Sequence, residues 1–215
     1  MMDTISAIIL GVVQGLTEFL PVSSTGHLIL AREYLGLQSA DGLAVDAVLH
    51  FATALAVIIY FRADLWRLVL SVPSVIQRPK VDSHERSLIM WLALGTIPAL
   101  ALGFMLEGVI STTFRDPVWV AAGLVLGSLL ILAAEYFSRR SVQTRALEEV
   151  GLKRAFAIGC FQASALWPGM SRSGATISGG LLLGLSRDAA ARFAFLLSLP
   201  VIVGAGSLKV FELTE

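Results

Sequence analysis

Two apolar stretches of this sequence are cut short by polar clusters, and those interruptions limit the fold more than any other feature. A helix needs about 20 residues to cross the ~30 Å hydrocarbon layer of a bilayer. Four apolar segments come to about that length: Leu43–Phe61, Ser87–Leu106, Val118–Phe137 and Ala189–Phe211. Two more, Ile5–Leu20 and Ala155–Trp167, stop in Pro/Gly/Ser clusters, and a second short apolar stretch follows each, Leu28–Leu37 and Ile177–Leu185. Helix, polar break and helix together read as a re-entrant hairpin. Irregular backbone survives at membrane depth only when buried in protein or facing a water-filled cavity.

Composition agrees with this reading. Of 215 residues, 56% are apolar and 15% charged, 16 Lys and Arg balance 16 Asp and Glu, and the mean hydropathy is +0.79. These values exclude a disordered chain and a soluble domain, and with no basic excess no nucleic-acid partner is expected. Cys160, the single cysteine, excludes a disulfide framework and a thiolate zinc site. An all-α polytopic membrane protein is expected, one membrane domain over 1–215. No signal peptide is expected, because the N-terminus lacks a basic start and its apolar stretch runs into Glu18 and Pro21.

Charge gives an orientation. Arg62, Arg67, Arg78, Lys80 and Arg86 fall in one loop, and Arg139, Arg140, Arg145, Lys153 and Arg154 in another, whereas the loop 107–117 holds only Arg115. The positive-inside rule makes the two basic loops cytoplasmic and 107–117 external. Hairpin 1–40 then enters from outside and hairpin 155–187 from inside. The two resemble each other at an offset of 148: Gly11, Gln14, Ser23 and Gly26 against Gly159, Gln162, Ser171 and Gly174, with Thr25 against Ser173. At an offset of 142, Asp46-Ala47 and Phe51-Ala52 match Asp188-Ala189 and Phe193-Ala194. Copies entering from opposite sides form an inverted-topology repeat, whose broken helices meet near the midplane and build the site.

The first break carries Gln14, Glu18, Ser23, Ser24, Thr25, Gly26 and His27. Gln14 and Glu18, four apart, share a helix face. A carboxylate in an apolar stretch is costly and marks a functional site by default, the plainer reading being a protonated Glu18 bonded across helices. Three hydroxyls follow it, Gly26 lets backbone approach a ligand, and His27 can act as an acid/base group. The second break carries Ser171, Arg172, Ser173, Gly174 and Thr176. An arginine at the start of a half-helix suits phosphate, through bidentate guanidinium contacts and free N-terminal amides, the plainer reading being an arginine that snorkels to the interface. A carboxylate can hold Mg²⁺ or Ca²⁺ in company with phosphate and water. Together the breaks suit phosphoryl transfer to water on a lipid with a phosphate head. Asp46 and His50 read as helix-end polar residues, Asp188 and Arg192 as an i,i+4 ion pair, and Glu135 as a headgroup contact.

These residues resemble the bacterial undecaprenyl-pyrophosphate phosphatase, or bacitracin-resistance, family. Gln14, Glu18, Pro21, Ser23, Ser24, Thr25, Gly26 and His27 match its first signature, and Pro168, Gly169, Ser171, Arg172, Ser173, Gly174 and Thr176 its second. The resemblance implies removal of one phosphate from undecaprenyl diphosphate, recycling the carrier lipid for peptidoglycan. It also implies a divalent metal, a bacterial inner-membrane location, a site open to the periplasm, and bacitracin resistance on overproduction. Glu18, Ser24, His27 and Arg172 are then the catalytic candidates. Ser23, Thr25, Gly26, Ser171, Arg172, Ser173, Gly174 and Thr176 would bind substrate, and Glu18 with Gln14 the metal. Ser24 is expected as nucleophile or water-positioning hydroxyl with His27 as its partner, although sequence does not separate Ser24 from His27 or a metal-bound water. Partners expected are the lipid diphosphate and membrane lipids, with a homodimer left open. Two departures stand out. Position 14 is Gln where many relatives have Glu, and relatives continue for about two further membrane segments, so the second repeat (about 118–215, against 1–106) is expected to be incomplete. An inverted-repeat transporter of a lipid phosphate or small anion is the rival. A type-2 phosphatidic acid phosphatase is disfavoured because no histidine follows Ser171-Arg172.

Overall fold

The computed structural model describes residues 3–37, 42–77, 84–106, 108, 116–140 and 145–212. Every regular element among them is helical: α1 (Thr4–Thr17), α2 (Ser24–Leu35), α3 (Gly42–Tyr60), α4 (Arg62–Gln77), α5 (His84–Met105), α6 (Pro117–Arg140), a 3₁₀ turn (Leu147–Glu149), α7 (Gly151–Ser164), α8 (Arg172–Leu182) and α9 (Arg187–Glu212). The short apolar stretches form the helix pairs α1/α2 and α7/α8, each joined through its polar break, as the sequence predicts. Asp3 caps α1 by accepting from the Ser6 amide at 2.7 Å, and α2 ends at Gly36 in the left-handed region.

Among the described residues two helices, α5 and α6, are by themselves long and apolar enough to cross a membrane. A third span exists only if the pair 45–60 and 62–73 is taken as one, bent by 81°. The segment Leu43–Phe61 read as a span is helical over Gly42–Tyr60, and the basic stretch that follows it is not a loop. Residues 62–77 form α4, whose Leu65 and Leu68 pack inward while Arg62 and Arg67 stay exposed, an amphipathic helix rather than a loop. Ala189–Phe211 falls in α9, which opens with Arg187, Asp188 and Arg192. Arg78, Lys80 and Arg115 lie outside the described residues.

The core gathers Trp91 and Leu92 of α5, Ile158 of α7, Leu181 of α8, and Phe193, Leu196 and Leu197 of α9. Its tightest contact is between α5 and α7, where a Cβ on Gly95 would sit 2.9 Å from the Ala155 carbonyl and a Cβ on Gly159 would run into the Gly95 backbone. Only two glycines allow this approach. The outer surface is apolar, with Ile5, Ile8, Val12 and Leu16 along α1 and Val125, Leu129 and Leu132 along α6 exposed, as lipid-facing helices require.

Ion pairs tie the helix ends together. Asp46 binds Arg32 at 2.6 Å, and Glu135 binds Arg139 and Arg187, both at 2.7 Å. Arg192 reaches Asp64 of α4 at 2.9 Å, so the i,i+4 pairing with Asp188 read from the sequence is not made. The existence of α4 is the reason: it brings a carboxylate to Arg192 from another helix.

Candidate active site

The two breaks meet. Glu18, at the C-terminal cap of α1, has a side chain only 7% exposed. Its Oε1 accepts from Arg172 Nη2 at the first residue of α8, and its Oε2 accepts from Ser24 Oγ at the first residue of α2. Gln14 Nε2 donates to the same Oε2 at 3.0 Å and lies 3.4 Å from Thr53 Oγ1. His50 Nδ1 stands 3.4 Å from Glu18 Oε2 and 3.0 Å from Gln14 Nε2. One carboxylate is thus held by groups from α1, α2, α3 and α8. Removing either member of a buried pair of this kind costs about 3–5 kcal/mol, because the remaining charge is left uncompensated.

The breaks share a local construction. Ser23 Oγ accepts from the Gly26 amide at 3.3 Å, and Ser171 Oγ accepts from the Gly174 amide at 3.1 Å. Both are serine N-caps, each three residues before the glycine whose amide it accepts from. Their backbones differ. Ser171 is extended at φ −66°, whereas Ser23 sits at φ 67°, the only non-glycine at positive φ among the described residues. Such strain costs on the order of 1–3 kcal/mol and collects at functional sites. Here it turns α2 so that Ser24 faces Glu18.

A cavity of about 390 Å³ opens onto this cluster, lined by Glu18, Ser23, Ser24, Thr25, His50, Ser171, Arg172 and Ser173 among others. Several sequence expectations gain a place here and several do not. His27 does not line the cavity. Its Nδ1 lies 2.8 Å from the Ser23 carbonyl one turn back, and Ser24 bonds to Glu18, so the expected Ser24–His27 pairing is not made. Gly26 and Gly174 serve packing: a Cβ would meet Leu124 at 3.2 Å and Ile131 at 2.9 Å respectively. Thr176 is buried and donates to the Arg172 carbonyl, so it braces α8 rather than facing the cavity. Gln14 lies behind Glu18, with its Oε1 buried and without a hydrogen-bond partner among the described residues.

His50 is the residue that sequence reasoning set aside. Its signal was available: an imidazole in an apolar helix, which marks a site as an intramembrane carboxylate does. Gln162, which also lines the cavity, was noticed only as the repeat match of Gln14.

Among the described residues no cluster of three or more His, Cys, Asp and Glu could hold a metal. Oxygens at or beside the site that suit a hard cation include the Glu18 carboxylate and the amide oxygens of Gln14 and Gln162, both without a hydrogen-bond partner among the described residues. The donor set therefore fits a divalent ion only in company with substrate oxygens and water.

Residues 7–215 match the model of the family described as bacitracin resistance protein BacA. The chain is also 45% identical over 214 residues to the undecaprenyl-diphosphatase of Rubrobacter xylanophilus, covering 99% of this chain and 78% of that protein.

Proposed function

The chain belongs to the bacitracin resistance protein BacA family, and on that premise we propose that it is an undecaprenyl-diphosphate phosphatase, hydrolysing the lipid diphosphate to lipid monophosphate and inorganic phosphate. The observation that carries the reading is the Glu18–Arg172 pair joining the two breaks over a cavity rich in hydroxyls. An acid and a guanidinium side by side can each take part in phosphoryl transfer once an anion competes for the arginine. Arg172 turns its planar fork to the diphosphate and neutralises the charge that grows on the equatorial oxygens. Glu18, thereby released, takes the proton from Ser24 Oγ, which attacks the terminal phosphorus and expels the lipid monophosphate. Glu18 passes that proton to the departing lipid phosphate, and water then attacks the serine phosphate, Glu18 taking the water's proton and handing it to Ser24 Oγ as inorganic phosphate leaves. His50 orients the carboxylate from α3. A divalent ion, Mg²⁺ or Ca²⁺, would be held by Glu18 and Gln14 with diphosphate oxygens and would supply further charge neutralisation.

In this reading the protein sits in the bacterial inner membrane as an inverted-topology repeat with two re-entrant hairpins, its cavity open to the periplasm. The repeated serine caps at Ser23 and Ser171 support the repeat, and the two basic segments, the first of them including α4, support the orientation. The product would be the form in which the carrier lipid re-enters peptidoglycan synthesis, and overproduction of the protein should give bacitracin resistance.

Phosphate release from undecaprenyl diphosphate by detergent-solubilised protein, with and without a chelator, tests the activity. No release overturns it, and release that survives chelation removes the metal. Ser24→Ala should lose nearly all turnover while still binding the lipid, whereas a substantial residual rate would make Ser24 a water-positioning hydroxyl. A Ser24→Cys variant in a Cys160→Ala background should react with an impermeant thiol reagent outside intact cells. Labelling only after the inner face is exposed would reverse the orientation.

A further inference from the structure

Gln162 is 2% exposed, and both Oε1 and Nε2 of its side chain are buried without a hydrogen-bond partner among the described residues. It stands on α7 and lines the same cavity as Glu18 and Arg172. Its repeat counterpart, Gln14, spends its amide on Glu18, His50 and Thr53. The sequence explains the contrast. Four residues beyond Gln14 stands Glu18, and four beyond Gln162 stands Leu166. With leucine in the carboxylate's place, the second amide has nothing of its own to bond.

A buried amide left unpaired is destabilising, so a fold that keeps one in the wall of a cavity is complemented when a ligand supplies the missing partners. The cavity that Gln162 faces presents the Arg172 guanidinium and the hydroxyls of Ser171, Ser173 and Thr25. All of these suit oxygen-rich anions. A neutral amide adds direction without charge, so it fixes the orientation of the anion while leaving a singly charged cationic clamp, Arg172, from which product can leave.

Resting on the phosphatase reading, we infer that Gln162 binds the lipid diphosphate directly, Nε2 donating to a phosphate oxygen and Oε1 accepting from a water on the same group. It is a substrate-positioning residue on the second repeat, matched in the first by a glutamine already engaged.

Gln162→Met keeps the length of the side chain and removes both hydrogen-bonding groups. Its KM for undecaprenyl diphosphate should rise about tenfold, the effect of one hydrogen bond to a charged oxygen, with kcat within about threefold of the parent. Its thermal midpoint without ligand should equal or exceed the parent's. Inorganic pyrophosphate, which should stabilise the parent by binding, should stabilise this variant far less. Gln162→Glu should raise KM further, through repulsion between like charges. An unchanged KM, or a raised KM with a lowered midpoint and full protection by pyrophosphate, would overturn the inference in favour of a packing role. A parent protein that releases no phosphate would instead sink the phosphatase reading, while the pyrophosphate comparison would still report on Gln162.

Discussion

At the break between α1 and α2, Ser23 caps the amide of Gly26. Across the equivalent break between α7 and α8, Ser171 caps Gly174. The glutamine nine positions before each of these serines is buried in both. What the two frames carry is opposite. Glu18 answers to Leu166, Ser24 to Arg172 and His27 to Ala175. The α1/α2 break supplies the anion and the strained serine, and the α7/α8 break supplies the cation and the unengaged amide. Capping tolerates such divergence because it rests on a serine, a glycine and backbone, which both breaks have. Charge can therefore be divided between the two breaks without disturbing either frame, and the Glu18–Arg172 pair balances two charges that would each be costly alone in an apolar surround.

The comparison breaks most visibly at Arg172. Arg172→Lys keeps the charge but loses the fork, and kcat/KM for phosphate release should fall on the order of 10²-fold or more, about 3 kcal/mol. Near-parental turnover would remove the bidentate clamp. Next come the paired glycines. Gly159→Ala drives a methyl into the Gly95 backbone, whereas Gly11→Ala finds only Leu49 Cδ2, at 3.9 Å. Denaturant midpoints should show Gly159→Ala destabilising by about 1–3 kcal/mol and Gly11→Ala within about 0.5 kcal/mol of the parent. Equal effects would mean that the two copies pack alike after all. The two histidines of the first half sharpen the comparison further. His50→Gln should lower kcat about tenfold, as loss of one hydrogen bond to a charged group predicts. His27→Gln, at a ring that bonds the Ser23 carbonyl and does not line the cavity, should stay within about threefold. The reverse order in a side-by-side assay would restore His27 to the site. The smallest change is expected of Gln14→Glu: activity should persist and half-activation should need less divalent cation, because a second carboxylate attracts it. Loss of activity that added cation does not repair would count against Gln14 as a metal neighbour.

Much of this was legible before any coordinates. Short apolar stretches ending in Pro/Gly/Ser located both breaks, and Glu18 and Arg172 stood out because charge in an apolar surround needs a reason. Contacts across large sequence separations were not legible. His50 lies 32 positions from Glu18 and, by periodicity, belongs to an ordinary apolar helix. Only the packing of α3 on α1 turns it inward. His27, adjacent to the hydroxyls in sequence, is expected to pair with Ser24, but residue 27 lies one turn beyond Ser23 and bonds back to its carbonyl, while Ser24 bonds to Glu18. The helix α4 was hidden by its arginines, which read as a basic loop until the spacing of Leu65 and Leu68 is set against an amphipathic face.

The contact between Glu18 and Arg172 joins residues 154 positions apart. On a ribosome adding about 5–20 residues each second, the carboxylate is made on the order of 10 s before the arginine that neutralises it. In that interval Glu18 has Gln14, Ser24 and then His50 for company, all from the first quarter of the chain. The first hairpin can therefore be held in the membrane while synthesis continues. Arg172 arrives late, half-buried at the first residue of α8 with one acid to meet, so docking of the α7/α8 pair locks the two halves of the nascent protein together.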